Sequence, residues 1–136
     1  PAQDFSVIMV DIDKFKPYND SFGHLEGNKV LKGVASLFRK NSRVTDVVGR
    51  FGGEEFCIIV PELTQEAAIR YAQKLLEKVA ACNFPNRKIT LSAGVATFPA
   101  DGKSTLDLLE VADKYLYKAK NAGRNRVCAS SLSEGS

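Results

Sequence analysis

The chain has 136 residues, of which 44% are hydrophobic and 26% charged, a size and composition typical of one globular domain with a single core. Its formal net charge of +3 is small and its lysines are scattered, which argues against a nucleic-acid-binding surface. No apolar run approaches the roughly 20 residues of a membrane span, and residues 1–4 do not resemble a signal peptide. We therefore expect a soluble, cytoplasmic domain.

The first predicted strand is the apolar run Phe5–Val10, which is followed by the acidic residues Asp11 and Asp13. A buried strand of this kind delivers acidic side chains at its carboxyl end. A short helix is expected to begin near Lys14 and to end at Gly23, with Asp13 as its N-cap. Asp13 also forms an Asp-x-Asp pair with Asp11, so a role as a metal ligand is the alternative.

Apolar residues at helical spacing predict a second helix over Leu25–Lys40. Its expected buried positions are Val30, Val34, Leu37 and Phe38.

The runs Thr45–Phe51 and Glu54–Val60 flank a Gly-Gly pair, a pattern that predicts a hairpin whose two turn residues have positive φ. Glu54 and Glu55 lie at its tip, although acidic residues are poor strand formers and adjacent like charges repel. Either a divalent cation binds these glutamates or they simply face water, and the segment alone leaves both readings open.

The second half of the chain predicts a helix starting at Thr64, a strand over Lys88–Thr97, a helix capped by Ser104 and a short edge strand at 126–128. The expected buried positions of the two helices are Ala68, Ala72, Leu75, Leu76, Val79, Leu109, Ala112, Leu116 and Ala119. Residues 130–136 are rich in Ser and Gly, and we expect a disordered tail there. The three cysteines, Cys57, Cys82 and Cys128, fit reduced core residues.

This order of elements predicts an α+β fold with a mostly antiparallel sheet flanked by helices, and its centre matches the ferredoxin-like βαββαβ unit. The first strand and the hairpin are neighbours in that topology, which brings Asp11 towards Glu54 and Glu55. Carboxylate oxygens suit Mg²⁺ or Mn²⁺, whereas the single histidine and the absence of a Cys/His pair argue against zinc.

Several ordered motifs cover about residues 5 to 128. They are Asp11–Lys16, Asn19-Asp20, Phe22–His24 with Gly27, Arg50–Phe56, Ser92–Ala96, Ala112-Asp113, Leu116-Tyr117, Ala119-Lys120 and Gly123–Asn125. On these motifs the chain resembles the GGDEF domain of diguanylate cyclases, in a GGEEF variant. The resemblance implies a palm fold similar to that of polymerases, and the condensation of two GTP molecules into cyclic di-GMP with release of two pyrophosphates.

The resemblance also implies the ligands of two Mg²⁺ or Mn²⁺ ions per GTP. They are Asp11, the main-chain carbonyl of Ile12, Glu54 and Glu55, and Glu54 would also assist deprotonation of the ribose 3′-hydroxyl. Of this set, Asp11, Glu54 and Glu55 are the expected catalytic residues.

The substrate-binding positions implied by the resemblance are Phe15, Lys16, Gly52, Gly53, Lys120 and Arg124 around the phosphates and ribose, and Asn19, His24 and Asn28 around guanine. Taken alone, Lys120 and Arg124 would be a solvated basic face and His24 a structural histidine. Asn28 departs from the family, which has Asp there. Because Asn offers one acceptor and one donor group where Asp offers only acceptors, we expect weaker discrimination against ATP.

Arg43 and Asp46 form an R-x-x-D sequence shortly before the hairpin turn. In the family this spacing marks an inhibitory site for the product, to which Arg70 or Lys74 would contribute from the next helix. Taken alone, the pair would be an ordinary surface ion pair of little energetic value.

The resemblance implies an antiparallel catalytic dimer with a second GGDEF domain, because one palm binds one GTP. It also implies an upstream sensory or dimerising module. The chain starts at its first strand, without the helix that precedes it in the family. We therefore expect an N-terminally truncated GGDEF domain at 1–129, cut from a longer cytoplasmic or membrane-bound protein. The alternatives are a catalytically silent sensor of GTP or cyclic di-GMP, and a structural dimerisation domain.

Overall fold

The structure is a computed structural model, described here for residues 4–132, and in that range it has five strands and four helices. In chain order they are β1 (Phe5–Ile12), α1 (Phe15–Phe22), α2 (His24–Lys40), β2 (Val47–Arg50), β3 (Glu55–Pro61), α3 (Gln65–Ala81), β4 (Leu91–Phe98), α4 (Thr105–Asn121) and β5 (Val127–Ala129). The predicted order of elements and the α+β class are confirmed.

The strands form one sheet in the order β2-β3-β1-β4-β5. All neighbouring strands are antiparallel except β4 and β5, which are parallel. The first four strands have the ferredoxin-like arrangement, with β1 and β3 side by side in the middle. Asp11 of β1 is directly opposite Glu55 of β3, so the predicted proximity of the first strand and the hairpin is confirmed.

Both faces of the sheet are covered by helices, because β1 and β4 are apolar on both sides. The larger core cluster joins the sheet to α1, α2 and α3, and the smaller one joins Val7, Met9 and Ala96 to α4. The predicted buried face of α3 is confirmed in full. In α2 the predicted Leu37 is only partly buried, and in α4 the fully buried residue is Leu108 rather than Leu109.

Two helix caps agree with the sequence and one does not. The side chains of Thr64 and Ser104 accept hydrogen bonds from Ala67 N and Asp107 N, as predicted for the starts of α3 and α4. The prediction that Asp13 caps α1 is wrong. The N-cap residue is Lys14, which has a left-handed backbone (φ 56°) and whose side chain makes no capping hydrogen bond.

The hairpin turn is longer than the sequence predicted. Residues 51–54 separate β2 from β3, and both Phe51 N and Gly52 N donate to Glu55 O, at 2.8 and 3.3 Å. Neither Gly52 nor Gly53 has a positive φ, so the prediction of a two-residue turn of that kind is wrong. Strand β4 likewise starts at Leu91 rather than at Lys88.

The segment expected to be a disordered tail lies partly within the described residues. Ser130 Oγ donates to Asp101 Oδ1 at 2.7 Å, Ser131 N donates to Gln65 Oε1 at 2.9 Å, and Leu132 packs against the larger core cluster. Residues 133–136 lie outside the described range. All three cysteines are half-buried, and none of them forms a disulfide. None of the helices within residues 4–132 is long and apolar enough to cross a membrane.

Candidate active site

Asp11 is the centre of the candidate site. It lies at the carboxyl end of β1, where both flanking strands cover it, and the residue is 4% exposed. Ile12 N donates to Glu54 O at 3.2 Å, so the main chain on either side of Asp11 is tied to the hairpin. The topology therefore places the three predicted acidic residues at one end of two adjacent strands.

The charge of Asp11 is costly in this position. Burial is the main cause that raises the pKa of Asp11 from 3.8 to about 6, and the nearby charges of Glu54 and Glu55 add to it. The ammonium group of Lys120 on α4 forms an ion pair with the carboxylate of Asp11 and acts in the opposite direction. Asp11 is thus a desolvated carboxylate that favours a cationic partner.

The chemistry of these donors fits a hard divalent cation, because a buried carboxylate and two further carboxylates supply oxygen ligands only. Within residues 4–132, however, no three His, Cys, Asp or Glu side chains are already gathered closely enough to hold a metal ion. The glutamates influence Asp11 through their charge, while Lys120 provides its direct contact.

A cleft beside Asp11 unites most of the residues predicted to bind the metals and phosphates. We call it the clamp cleft; it is lined by Asp11, Ile12, Asp13, Lys14, Phe15, Lys16, Pro17, Glu54, Lys120 and Arg124. The sequence reasoning had not assigned Lys14 a role, although it lies inside the Asp11–Lys16 motif. Four basic side chains therefore border one cleft, an arrangement suited to a polyphosphate.

The three residues predicted to contact guanine lie on α1 and at the start of α2. His24 and Asn28 are exposed, whereas the Oδ1 atom of Asn19 is buried and has no hydrogen-bond partner. Gly27 on α2 makes this position of Asn19 possible, because a Cβ atom there would lie 2.8 Å from Asn19 Cγ. A buried acceptor without a partner is rare in folded proteins, and a bound ligand is one way to satisfy it.

The glycines at the hairpin tip are not required by packing within this chain. A Cβ atom added to Gly53 would have no neighbour within 4 Å, and one on Gly52 would only reach Glu55 Cβ at 3.9 Å. The guanidinium of Arg50 donates to the carbonyl oxygens of Gly52 and Gly53, at 3.2 and 2.6 Å at the closest, and braces the turn. Packing within the chain therefore does not account for glycine at either position.

Arg43 and Asp46 form a well-connected pair at the start of β2. The Arg43 guanidinium donates to Asp46 Oδ1 at 2.7 Å and to Pro61 O, and Tyr71 OH on α3 donates to Asp46 Oδ2 at 3.0 Å. Burial opposes the charge of Asp46, but the hydrogen bonds from Arg43 and Tyr71 hold its pKa below the usual value. Arg70, next to Tyr71, is paired with Glu66.

A family model described as "Diguanylate cyclase, GGDEF domain" matches residues 1–126. The chain therefore belongs to the GGDEF family.

Curated relatives agree with this assignment. Diguanylate cyclase DgcP of Pseudomonas aeruginosa is 42% identical over 128 residues, which are 91% of this chain and 19% of that protein. Diguanylate cyclase A of Treponema denticola is 38% identical over 129 residues, 92% of this chain and 35% of that protein. The chain thus spans well under half the length of these relatives.

Solved structures show the same fold. The active GGEEF domain of a diguanylate cyclase from Vibrio cholerae superposes with a TM-score of 0.90 at 38% identity, covering 96% of this chain and 85% of that one. The GGDEF domain of DgcB from Caulobacter crescentus, solved in complex with c-di-GMP, has a TM-score of 0.87 at 32% identity and covers 93% and 77%.

Proposed function

We propose that this chain is the catalytic domain of a diguanylate cyclase, which condenses two GTP molecules into cyclic di-GMP. The observation that carries the proposal is the clamp cleft, where a buried carboxylate opposite a Glu-Glu hairpin adjoins a set of basic side chains. The relatives named diguanylate cyclase and the similar domain described as an active GGEEF domain support it.

Two Mg²⁺ or Mn²⁺ ions held by Asp11, the Ile12 carbonyl, Glu54 and Glu55 would lower the pKa of the attacking ribose hydroxyl and neutralise the departing pyrophosphate. Among the protein groups, Glu54 would accept the proton of the 3′-hydroxyl. Gly52 and Gly53 leave room for the α-phosphate and ribose at the hairpin tip.

Lys120 has two tasks in this proposal. Without a cation its ammonium group neutralises Asp11, and its side chain is 33% exposed at the cleft. With Asp11 serving as a cation ligand, Lys120 would join Lys16 and Arg124 around the terminal phosphates. Phe15 and Lys16 line the same cleft.

Each palm supplies one GTP, so the reaction needs two domains in an antiparallel arrangement. The 3′-oxygen of one nucleotide forms a bond to the α-phosphorus of the other. The bond between that phosphorus and the oxygen bridging the α- and β-phosphates breaks, and pyrophosphate leaves. A second such step closes the ring. An upstream dimerising module would raise the frequency of this encounter.

The test is to incubate the purified chain with GTP and Mg²⁺ at increasing protein concentration and to quantify the product by chromatography. An active enzyme that needs two domains gives product that rises faster than linearly with protein and that disappears with EDTA. GTP binding without product would instead favour a silent sensor module. Neither binding nor product would leave only a structural role.

Asn28 is expected to reduce the preference for GTP over ATP, because its amide cannot accept hydrogen bonds from both guanine N1 and N2. Asn28→Asp should raise the ratio of GTP to ATP incorporation about tenfold, the value of one such hydrogen bond. The measurement is product analysis at equal nucleotide concentrations. Gln73→Glu also replaces an amide by a carboxylate, at an exposed position of α3, and should leave this ratio unaltered. An equal ratio in Asn28→Asp and the parent would contradict the prediction.

Arg43 and Asp46 are expected to bind the product and inhibit synthesis, since an arginine can bind phosphate or the Hoogsteen edge of guanine. Arg43→Ala should raise the steady-state product level and shift inhibition by cyclic di-GMP to at least about tenfold higher concentration. Lys103→Ala, which removes the same charge from the loop before α4, is the control. Unchanged inhibition in Arg43→Ala would rule out this site.

A further inference from the structure

Asp13 has a bonding pattern that neither capping nor metal binding explains. It is 9% exposed, and its two carboxylate oxygens accept three hydrogen bonds. The donors are Ser92 Oγ at 2.6 Å, Thr90 Oγ1 at 2.8 Å and the main-chain N–H of Asn125 at 3.0 Å. The carboxylate therefore ties the end of β1 both to the start of β4 and to the loop that follows α4.

That loop has an unfavourable backbone conformation. Arg124 and Asn125 both have positive φ, 64° and 49°, although neither is glycine. Asn tolerates this region better than most residues, but Arg rarely adopts it without supporting contacts. Arg124 N donates to Ala119 O at 3.0 Å, and Asn125 N donates to Asp13 Oδ2. The second of these bonds links the loop to the strand that carries Asp11.

We propose that Asp13 is a positioning residue that holds the loop at 124–125 so that Arg124 borders the clamp cleft. The inference rests on the proposed function, since it assigns Arg124 to the phosphates of GTP. The Asp13 side chain suits this role because its oxygens accept from two hydroxyl groups and a main-chain N–H at once. Without it, the Asn125 N–H loses its partner and the left-handed loop loses a restraint.

The chain offers a matched control for this carboxylate. Asp101 also accepts three hydrogen bonds, from Thr97 N at 2.9 Å, Gln65 Nε2 at 2.5 Å and Ser130 Oγ at 2.7 Å. It lies beyond the far end of β4 and is not among the residues lining the clamp cleft. Asp101→Ala should therefore cost stability without changing nucleotide binding.

The first measurement is calorimetric binding of an α,β-methylene analogue of GTP, which cannot release pyrophosphate, in the presence of Mg²⁺. Asp13→Ala should weaken binding about tenfold, as expected when one charge-assisted hydrogen bond is misplaced. Asp13→Asn should bind nearly as well as the parent, because its amide oxygen can still accept from Asn125. If Asp13→Ala does not fold, Asp13→Ser replaces it, since the shorter side chain does not reach Asn125.

The second measurement combines Asp13→Ala with Arg124→Ala. Because Asp13 acts through Arg124, the double variant should bind no more weakly than Arg124→Ala alone. A tenfold further loss in that background would overturn the proposal.

The third measurement is amide hydrogen exchange of Asn125 by NMR, which needs neither nucleotide nor activity. Exchange at Asn125 should accelerate in Asp13→Ala but not in Asp101→Ala, and unchanged exchange would overturn the proposal. If the parent chain bound no nucleotide, the proposed function would fail while the exchange experiment would still judge the positioning of the loop.

Discussion

Replacing Asp11 by asparagine is expected to abolish synthesis of cyclic di-GMP without weakening the fold at neutral pH. The asparagine side chain has nearly the same shape but lacks the charge that would hold the cations, so we expect product formation to fall by at least about 100-fold. Asp11 is buried, and its charge is opposed by desolvation and by Glu54 and Glu55. Removing that charge relieves a cost that the active site imposes on folding.

The pH dependence of stability provides a sharper form of this prediction. In the folded chain the pKa of Asp11 is raised from 3.8 to about 6, so the folded state retains a proton that the unfolded state has already lost. The stabilisation this provides is complete below pH 3.8 and is lost as the pH rises through 6. Measured by urea unfolding in EDTA, the stability of Asp11→Asn relative to the parent should therefore increase between pH 4 and pH 7.

Asp113→Asn is the matched control, because it makes the same change at an exposed position of α4. It should leave both the product yield and the pH profile of stability as in the parent. If Asp11→Asn retained full activity, Asp11 would not be a metal ligand. If its relative stability were flat between pH 4 and pH 7, the burial cost assigned to Asp11 would be wrong.

The order of strands and helices could be predicted from the sequence because each element shows its own periodic pattern of apolar residues. Apolar periodicity set the order of strands and helices, and that order alone placed β1 beside β3 and hence Asp11 opposite Glu55. The motifs likewise predict that Lys120 and Arg124 lie together, and both residues line the clamp cleft.

The errors arose where a residue's partners are distant in sequence. Asp13 was interpreted as a helix cap, since that is the commonest use of an acid at such a place, but its partners lie 77, 79 and 112 residues away. The contact between Asp11 and Lys120 was also missed, because it depends on how α4 crosses the sheet. No local pattern carries that information.

Gly94→Ala is expected to be the most destabilising single substitution proposed here. Gly94 lies in the centre of β4, where the sheet and α4 meet backbone to backbone. A Cβ atom there would overlap Ala112 O and Leu116 N and would lie 2.9 Å from Tyr115 C. These are main-chain atoms of a helix, so no side-chain rotation relieves the overlap and α4 must move as a body.

We expect a loss of about 3 kcal/mol or more, at the upper end for overpacking, and a drop of about 10 °C in the melting temperature. Gly49→Ala is the control, because the nearest atom to a Cβ atom there, Cys57 O, is 4.0 Å away. Equal melting temperatures for the two variants would contradict the prediction. Because Lys120 lies one turn beyond Leu116 on α4, a displaced helix also separates it from Asp11, so any folded Gly94→Ala should bind GTP more weakly than Gly49→Ala.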